Sequence, residues 1–259
     1  MDLGISGRKA IVCASSRGLG KGCAWALAEA GCEITVNGRD KLALNATADE
    51  IRQATGATVH VIAADISTPD GQKAVLDACP DPDILVNNNG GPPRKDFRDL
   101  DRGAMIDGVI QNMITPLELI QSVMDGMAGR GFGRIVNITS LSVYMPIEGL
   151  DLSSGARAGL TSFLAGVSRG VAGKGVTINN LLPGKMDTDR LRGGFRMASQ
   201  RTGRSEDDIA AIQASEIPAR RFGNPEEFGK VCAFLCSSHA GYITGQNILV
   251  DGGLYTSAF

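Results

Sequence analysis

A chain of 259 residues, 43% hydrophobic and 21% charged, has the apolar content of one folded α/β domain, and this composition excludes an intrinsically disordered chain. The formal net charge of −2 and the scattered basic residues exclude a nucleic-acid footprint, so we expect a small-molecule partner. Because the sequence shows no apolar leader and no run of about 18 uncharged apolar residues, we expect no membrane partner and a cytoplasmic location.

Short β-type runs alternate with longer helical patterns from the first residues onward. Seven near-continuous apolar runs predict strands that are buried on both faces, at 9–14, 33–37, 58–63, 83–87, 133–139, 176–182 and 247–250. Segments of helical length and repeat lie between them, at 19–30, 41–54, 68–78, 100–127, 154–172 and 225–236. The alternation predicts a doubly wound, Rossmann-type parallel sheet in a single domain that spans residues 1–259.

The segment 187–222 departs from this alternation and is rich in Arg, Gly and Ser. A capping box that begins at Ser205 predicts a helix start inside it. We expect short mobile helices that form a lid over the substrate site.

The cysteines and histidines predict no metal site. The six cysteines contain no Cys-x-x-Cys pair, and His60 and His239 complete no zinc-binding motif with them. We therefore expect small buried thiols in a reducing compartment.

The first predicted strand runs through a Gly-rich turn directly into a helix. Such a turn places backbone N–H groups and the positive end of the helix dipole at a diphosphate. Gly18 and Gly20 stand where a phosphate needs close approach to the backbone. We expect the loop to bind a dinucleotide through Ser15, Ser16, Arg17, Gly18, Leu19 and Gly20.

The end of the second predicted strand favours NADP(H) over NAD(H). An NAD enzyme places Asp or Glu about 20 residues past the glycines to bind the ribose 2′-hydroxyl. Neutral Asn37 occupies that position, and Arg39 together with Arg17 offers guanidinium donors for a 2′-phosphate. We predict NADP(H) as the cofactor, with Asn37 and Arg39 at its ribose.

The loop resembles the Thr-Gly-x-x-x-Gly-x-Gly loop of short-chain dehydrogenases/reductases, with Cys13 for the threonine and Ala14 for the first glycine. Further matches follow in the family's order over nearly the whole chain: Asp65-Ile66, Asn87-Asn88-Asn89-Gly90 with Asn89 in place of alanine, Pro183-Gly184 with Thr188, and Val250-Asp251-Gly252-Gly253. The resemblance implies a homotetramer and a cofactor site that includes Asp65, Ile66, Asn88, Gly90, Pro183, Gly184 and Thr188.

The same resemblance implies a catalytic Asn-Ser-Tyr-Lys set, of which only the first two residue types are present. Asn112 and Ser140 match the family pattern, whereas Ser153 replaces the tyrosine and Arg157 replaces the lysine. A serine hydroxyl is a far weaker acid than a phenol. Arg157 keeps a positive charge for the nicotinamide ribose but gives up no proton under ordinary conditions.

Three functions stay open on these residues. The first is an NADP(H)-dependent oxidoreductase of a small carbonyl or alcohol, whose proton comes from Tyr144, from water ordered by Asn112 or from the substrate. The second is an elimination or carbon–carbon cleavage enzyme on the same fold. Halohydrin dehalogenases resemble this case because they carry Arg at the lysine position, but they keep the tyrosine and lose the nucleotide loop. The third is a regulatory protein that binds NADP(H) without turnover.

The substrate pocket is expected at the carboxyl ends of the strands, bounded by 91–97, 141–150 and 187–222. Basic residues are concentrated in these boundaries: Arg94, Lys95, Arg190, Arg192 and Arg196. They either bind a carboxylate or phosphate of an anionic substrate or face solvent as charges on loops.

Overall fold

A sheet of parallel strands forms the centre of the computed structural model, which describes residues 1–92 and 94–257. Pro93, inside the predicted pocket boundary 91–97, and residues 258–259 of the predicted domain lie outside the described residues. The strands are β1 (Lys9–Val12), β2 (Glu33–Gly38), β3 (Val59–Ala63), β4 (Ile84–Asn87), β5 (Gly133–Ile138), β6 (Val176–Pro183) and β7 (Asn247–Val250).

The strand order within the described part of the chain is β3-β2-β1-β4-β5-β6-β7, and every neighbouring pair is parallel. The order reverses between β1 and β4, which opens a crevice at the carboxyl ends of these strands. The predicted seven-stranded Rossmann-type fold is therefore confirmed. The first strand ends at Val12 instead of residue 14, because Ala14 has a φ of 45° that cannot continue a strand.

Helices cover both faces of the sheet: α1 (Gly18–Glu29), α2 (Lys41–Thr55), α3 (Pro69–Ala78), α4 (Arg102–Val109), α5 (Thr115–Arg130), α6 (Asp151–Val171), α7 (Asp189–Thr202), α8 (Glu206–Ser215) and α9 (Pro225–Cys236). The helices α1, α2 and α9 bury Leu27, Leu44 and Phe228 on one face. The helices α3, α5 and α6 bury Val75, Leu119 and Leu160 on the other. No helix among the described residues is long and apolar enough to cross a membrane.

Neighbouring residues of a strand belong to opposite cores, because side chains alternate across a strand. In β1, Val12 packs in the core that contains α1, whereas Ile11 packs in the core that contains α5. In β4, Val86 packs in the core that contains α1, and Leu85 packs in the core that contains α5. Burial on both sides explains the near-continuous apolar runs of the sequence.

The predicted single helix over 100–127 is wrong in detail. The structure has α4, then a π-helical turn at Ile110–Ile114, then α5, which ends at Arg130. A π-helical turn accommodates an extra residue without ending the helix, so hydrophobic periodicity does not reveal it. The turn contains the predicted catalytic residue Asn112.

The predicted lid segment contains α7 and α8, so helices do form within 187–222. At the start of α8, the Ser205 hydroxyl accepts a hydrogen bond from the Asp208 amide at 3.1 Å, which confirms the helix start. The mobility of the segment stays a prediction. The six cysteines are free and buried, as expected for thiols that serve packing.

Candidate active site

The turn between β1 and α1 brings strand and helix unusually close. A Cβ added to Gly20 would lie 2.3 Å from the Ala14 carbonyl oxygen, so only glycine fits there. Gly18 has a φ of +54°, a conformation that favours glycine. Ala14 also has a positive φ, 45°, although its Cβ disfavours this conformation. The resulting backbone strain costs roughly 1 kcal/mol. The geometry of a phosphate loop is therefore kept although the first glycine of the family's pattern is absent.

The N-terminus of α1 is open to an anion. Its N-cap residue, Arg17, has extended backbone, and no side chain of the described residues caps the helix. Uncapped first-turn N–H groups and the helix dipole together favour a phosphate. The Cys13 thiol beside this turn is unreactive, because burial raises its pKa to about 12.

Two predicted cofactor residues face the protein interior instead. The Ser15 hydroxyl donates to the Val12 carbonyl at 2.7 Å, and Ser15 is fully buried. The Asn37 side chain is 1% exposed and donates to the carbonyls of Ile62 and Ala64, at 3.1 Å each. Both side chains support the loop from inside, so Asn37 does not present its amide to a ribose.

Arg39, instead of Asn37, lies at the mouth of the crevice. Arg39 is 77% exposed at its side chain, and its Nη1 lies 3.9 Å from Asp65 Oδ2. Its Nη2 lies 4.0 Å from the position that a Cβ of Gly90 would take. Arg39 therefore spans the predicted adenine end of the site. Arg17 is held differently, because its Nη2 forms an ion pair with Asp40 at 2.8 Å.

The loop after β4 is tied to its surroundings by asparagine amides. Asn88 Nδ2 donates to the Ala14 carbonyl at 3.1 Å, which joins this loop to the phosphate loop. Asn89, the departure from the family's pattern, donates to Ser67 Oγ at 2.8 Å and to the Gln111 carbonyl at 3.2 Å. Asn89 thus links the loop to the π-helical turn.

The remaining predicted cofactor residues lie in or beside the crevice, with one exception. Thr188 caps α7, and its Cγ2 lies 3.4 Å from the position of a Cβ on Gly18. Pro183 ends β6, and Gly184 packs so closely on Asp251 that an added Cβ would lie 2.7 Å from its Cα. Ile66 is the exception, because its side chain is 3% exposed and packs in the core that contains α3.

Ser140 follows β5 directly. Its Oγ accepts hydrogen bonds from the Ser142 amide at 3.1 Å and from the Ser142 hydroxyl at 2.9 Å. Accepting these bonds leaves the Ser140 hydroxyl proton available for another acceptor. The arrangement suits a serine that donates to a carbonyl oxygen.

Arg157, which the resemblance predicts at the position of the family's lysine, is buried, at 8% exposure. Its Nε donates to Ser153 Oγ at 3.0 Å, and its Nη1 donates to the backbone carbonyls of Ile138 and Thr139. Burial, and next the positive charge of Arg190, lower the pKa of Arg157 to about 10. The guanidinium therefore stays charged at neutral pH and acts as a fixed positive charge.

A small polar cavity lies beside Arg157. Within the described part of the chain, Asn87 Oδ1, Asn112 Oδ1 and Thr115 Oγ1 are buried without a hydrogen-bond partner, and all three residues line this cavity. Its volume is ≈ 20 Å³. A cavity of this size and polarity holds about one ordered water. Buried polar atoms of this kind are otherwise costly, so we expect water there.

Asparagines in register connect the cavity to the far edge of the sheet. Asn87 donates to Asn137 Oδ1 at 2.9 Å, Asn137 donates to Asn180 Oδ1 at 3.0 Å, and Asn180 donates to Asn247 Oδ1 at 2.7 Å. Side-chain amides linked in one direction polarise one another, which strengthens Asn87 Oδ1 as an acceptor. This chain of asparagines was not predicted from the sequence, although asparagines inside apolar strands were its signal.

Tyr144, the predicted alternative acid, is 42% exposed and lies in the loop after Ser140. Its ring contacts the ring of Tyr255 near the C-terminus, with centroids 5.5 Å apart. No C-terminal residue was predicted at the site, and no local pattern around Tyr255 indicated this contact.

The family model described as enoyl-(acyl carrier protein) reductase matches residues 13–255. A 3-oxoacyl-[acyl-carrier-protein] reductase of Vibrio cholerae is 31% identical over 98% of this chain and 99% of its own length. The chain belongs to the short-chain dehydrogenase/reductase (SDR) family. It is thus an SDR-type member of the NAD(P)-dependent oxidoreductases.

Solved SDR structures superpose closely on the chain. L-sorbose reductase of Gluconobacter frateurii, complexed with NADPH and L-sorbose, has a TM-score of 0.94 at 27% identity and covers 99% of this chain and 100% of its own. A 3-oxoacyl (acyl-carrier-protein) reductase of Agrobacterium tumefaciens with bound NADP has a TM-score of 0.86 at 28% identity, with coverages of 97% and 95%. The likeness extends over the full SDR domain.

Proposed function

We propose that this SDR protein is an NADP(H)-dependent oxidoreductase of a small carbonyl or alcohol, with Ser153 and Arg157 in place of the usual tyrosine and lysine. The observation that carries the proposal is the joint presence of an open phosphate loop and an available Ser140 hydroxyl in one crevice. Relatives with bound NADPH or NADP support the cofactor choice.

The residues fit a dinucleotide phosphate. Gly20 has no room for a side chain and Gly18 has a φ of +54°, so both positions favour glycine, and a diphosphate can approach the uncapped N-terminus of α1. Arg39 would bind the 2′-phosphate and Arg157 the nicotinamide ribose. When bound, NADP(H) supplies the hydride that is exchanged with the substrate carbon, while a proton is exchanged with the substrate oxygen.

Two side chains act on the substrate oxygen in this proposal. Ser140 donates a hydrogen bond to it, and the fixed charge of Arg157 stabilises the negative charge that develops there. Neither group needs to lose a proton. A preorganised donor and a buried cation supply electrostatic stabilisation that does not depend on a phenol.

The proton follows a separate route. We assign it to water held by Asn112 Oδ1 in the cavity beside Arg157, because that oxygen is buried without a partner in the described residues. The Asn112 amide also donates to the Gly108 carbonyl at 3.1 Å, which orients the oxygen. Water in a fixed position can replace a side chain as proton carrier.

The test measures NADPH oxidation with a panel of small ketones, together with NADPH binding. Turnover of any ketone that is lost in Ser140→Ala, with NADPH affinity unchanged, supports the proposal. Product formation without a change in cofactor absorbance would identify an elimination or cleavage enzyme instead. Binding of NADPH with no turnover across the panel would identify a regulatory protein.

We also propose a cytoplasmic homotetramer. Exposed apolar side chains on the neighbouring helices α4 and α6 support an assembly surface; they are Met105, Ile106, Val109 and Phe163, at 40%, 47%, 40% and 53% exposure. Apolar groups clustered in this way favour burial between subunits. Light scattering on the purified protein measures the mass, and a monomer would contradict the proposal.

A further inference from the structure

Arg190 covers the backbone where the loop after β4 leaves the crevice. A Cβ added to Gly91 would lie 2.4 Å from Arg190 Nη1, so the absence of a side chain at Gly91 makes room for the guanidinium. Arg190 Nη2 donates to the Pro92 carbonyl at 3.0 Å. These contacts use one side of the guanidinium, and the remaining donors stay available.

The surroundings of this guanidinium are positive. Burial and the charge of Arg94 lower the pKa of Arg190, and the charge of Arg190 contributes to the lowered pKa of Arg157. Arg190 also lies in the first turn of α7, at the positive end of the helix dipole. Among the described residues, neither Arg190 nor Arg94 has an acidic partner within 4 Å, so their charges remain uncompensated.

Two arginines that lie close to Arg190 and Arg94 in the sequence are paired with acids. Arg192, two residues further along α7, binds both oxygens of Asp187, at 2.8 and 2.9 Å. Arg98 is paired with Asp96 in the same two-bond manner, at 2.9 and 2.8 Å. Arg190 and Arg94 thus differ from these two sequence neighbours, although other exposed arginines, such as Arg102, Arg169 and Arg196, also lack an acidic partner among the described residues.

We infer that Arg190 and Arg94 form a subsite for a carboxylate of the substrate, so that the substrates are small oxo acids or the corresponding hydroxy acids. This inference rests on the proposed function and adds a substrate class to it. A guanidinium fork binds a carboxylate through two parallel hydrogen bonds, which offsets the positive cluster. Both side chains are exposed to solvent, so a carboxylate can reach them from the crevice.

The diphosphate of the cofactor is the other anion within reach of this region. Thr188, which caps α7, lies beside Gly18 of the phosphate loop. The experiment must therefore separate the affinity for NADPH from the affinity for the carboxylate.

The probes are pyruvate, acetoacetate, 4-oxopentanoate and 5-oxohexanoate, each compared with its own methyl ester. Binding is measured by calorimetry on the protein saturated with NADP+, so the result does not depend on turnover. We expect at least one acid to bind about tenfold or more tightly than its ester. In Arg190→Met this preference should fall to about twofold or less, while Arg190→Lys should retain part of it, since a point charge replaces the fork.

Arg192→Met is the matched control, because it removes a paired arginine from the same helix. It should leave both the acid preference and the NADPH affinity unchanged. The inference is overturned if the parent protein binds no acid more tightly than its ester. It is also overturned if Arg190→Met weakens acid binding and NADPH binding equally, because Arg190 would then bind the cofactor. Failure of the parent protein to bind NADPH at all would instead overturn the proposed function.

Discussion

The ring of Tyr255 lies against the ring of Tyr144, with centroids 5.5 Å apart and planes inclined by 32°. The C-terminal segment is held in place by Asp251, whose Oδ2 accepts from the Tyr255 amide at 2.8 Å and whose Oδ1 accepts from the Gly253 amide at 3.0 Å. Two phenols therefore stand together on the wall formed by the loop after Ser140.

We predict that neither phenol carries the proton. Tyr144→Phe should keep turnover within a few-fold of the parent, because water in the Asn112 cavity is the proposed carrier. Tyr255→Phe should behave alike and serves as the matched control, while Asn112→Leu should lower turnover by about a hundredfold. Steady-state kinetics with a ketone found in the panel measure this. A hundredfold loss confined to Tyr144→Phe would assign the acid to Tyr144.

A water molecule in the cavity predicts that replacing two buried threonines by valine has different effects on the free energy of unfolding. Thr115 and Thr177 both have a hydroxyl without a partner in the described residues, but only Thr115 lines the cavity. Thr115→Val should lower the free energy of unfolding by about 1 kcal/mol, because a bond to water is lost. Thr177→Val should be neutral or stabilising. Denaturant unfolding gives both values, and a neutral Thr115→Val would indicate a dry cavity.

Cofactor preference should depend on Arg39 more than on Arg17. Arg39→Asp should weaken NADPH binding by about tenfold or more and leave NADH binding unchanged, because it places negative charge beside the 2′-phosphate. Arg17→Ala should have a smaller effect, since Arg17 is paired with Asp40. Fluorescence titration with both cofactors measures this. Equal losses of affinity for NADPH and NADH in Arg39→Asp would show that Arg39 does not bind the 2′-phosphate.

Restoring the family's catalytic pair should raise ketone reduction. In Ser153→Tyr with Arg157→Lys, the phenol regains the neighbouring lysine that tunes its pKa. Ser153→Tyr alone should do less, because it also removes the Ser153 oxygen that accepts from Arg157 Nε at 3.0 Å. The assay is NADPH oxidation by generic ketones. No gain in a folded, NADPH-binding double variant would mean that the pocket itself rejects these substrates.

Arg157→Lys alone should make NADPH binding depend on pH. Burial is the first cause of the lowered pKa of Arg157, about 10, and a lysine in its place starts from a lower ordinary pKa, about 10.4. The charged form of such a base is disfavoured in the folded protein, so its charge is lost as pH rises through the folded pKa. As the pH rises from about 7 to 9, the NADPH affinity of the variant should fall. Over the same range its free energy of unfolding should increase relative to that of the parent. An NADPH affinity that does not change across this pH range in either Arg157→Lys or the parent protein would contradict the prediction.

The sequence by itself determined the doubly wound fold, and it predicted the phosphate loop and the replacement of the tyrosine and lysine. These features depend on local order: apolar runs alternate with helical repeats, Gly18 and Gly20 follow a strand, and Ser153 and Arg157 stand at a set distance from Ser140. These features can be predicted from the sequence because each depends on residue types and their spacing along the chain, and not on which distant side chains meet.

Only the tertiary structure decided which side chains meet. In the folded chain, the Asn37 side chain is buried and bonds to β3, and Tyr255 lies beside Tyr144. The atoms of Asn112 and Thr115 that lack a partner among the described residues lie around one cavity. These relationships join residues from separate strands, helices and the C-terminal segment, whose neighbours are set by sheet order and packing. Local sequence patterns carry no information on such contacts, because the same side chain is buried, paired or exposed according to what the fold brings against it.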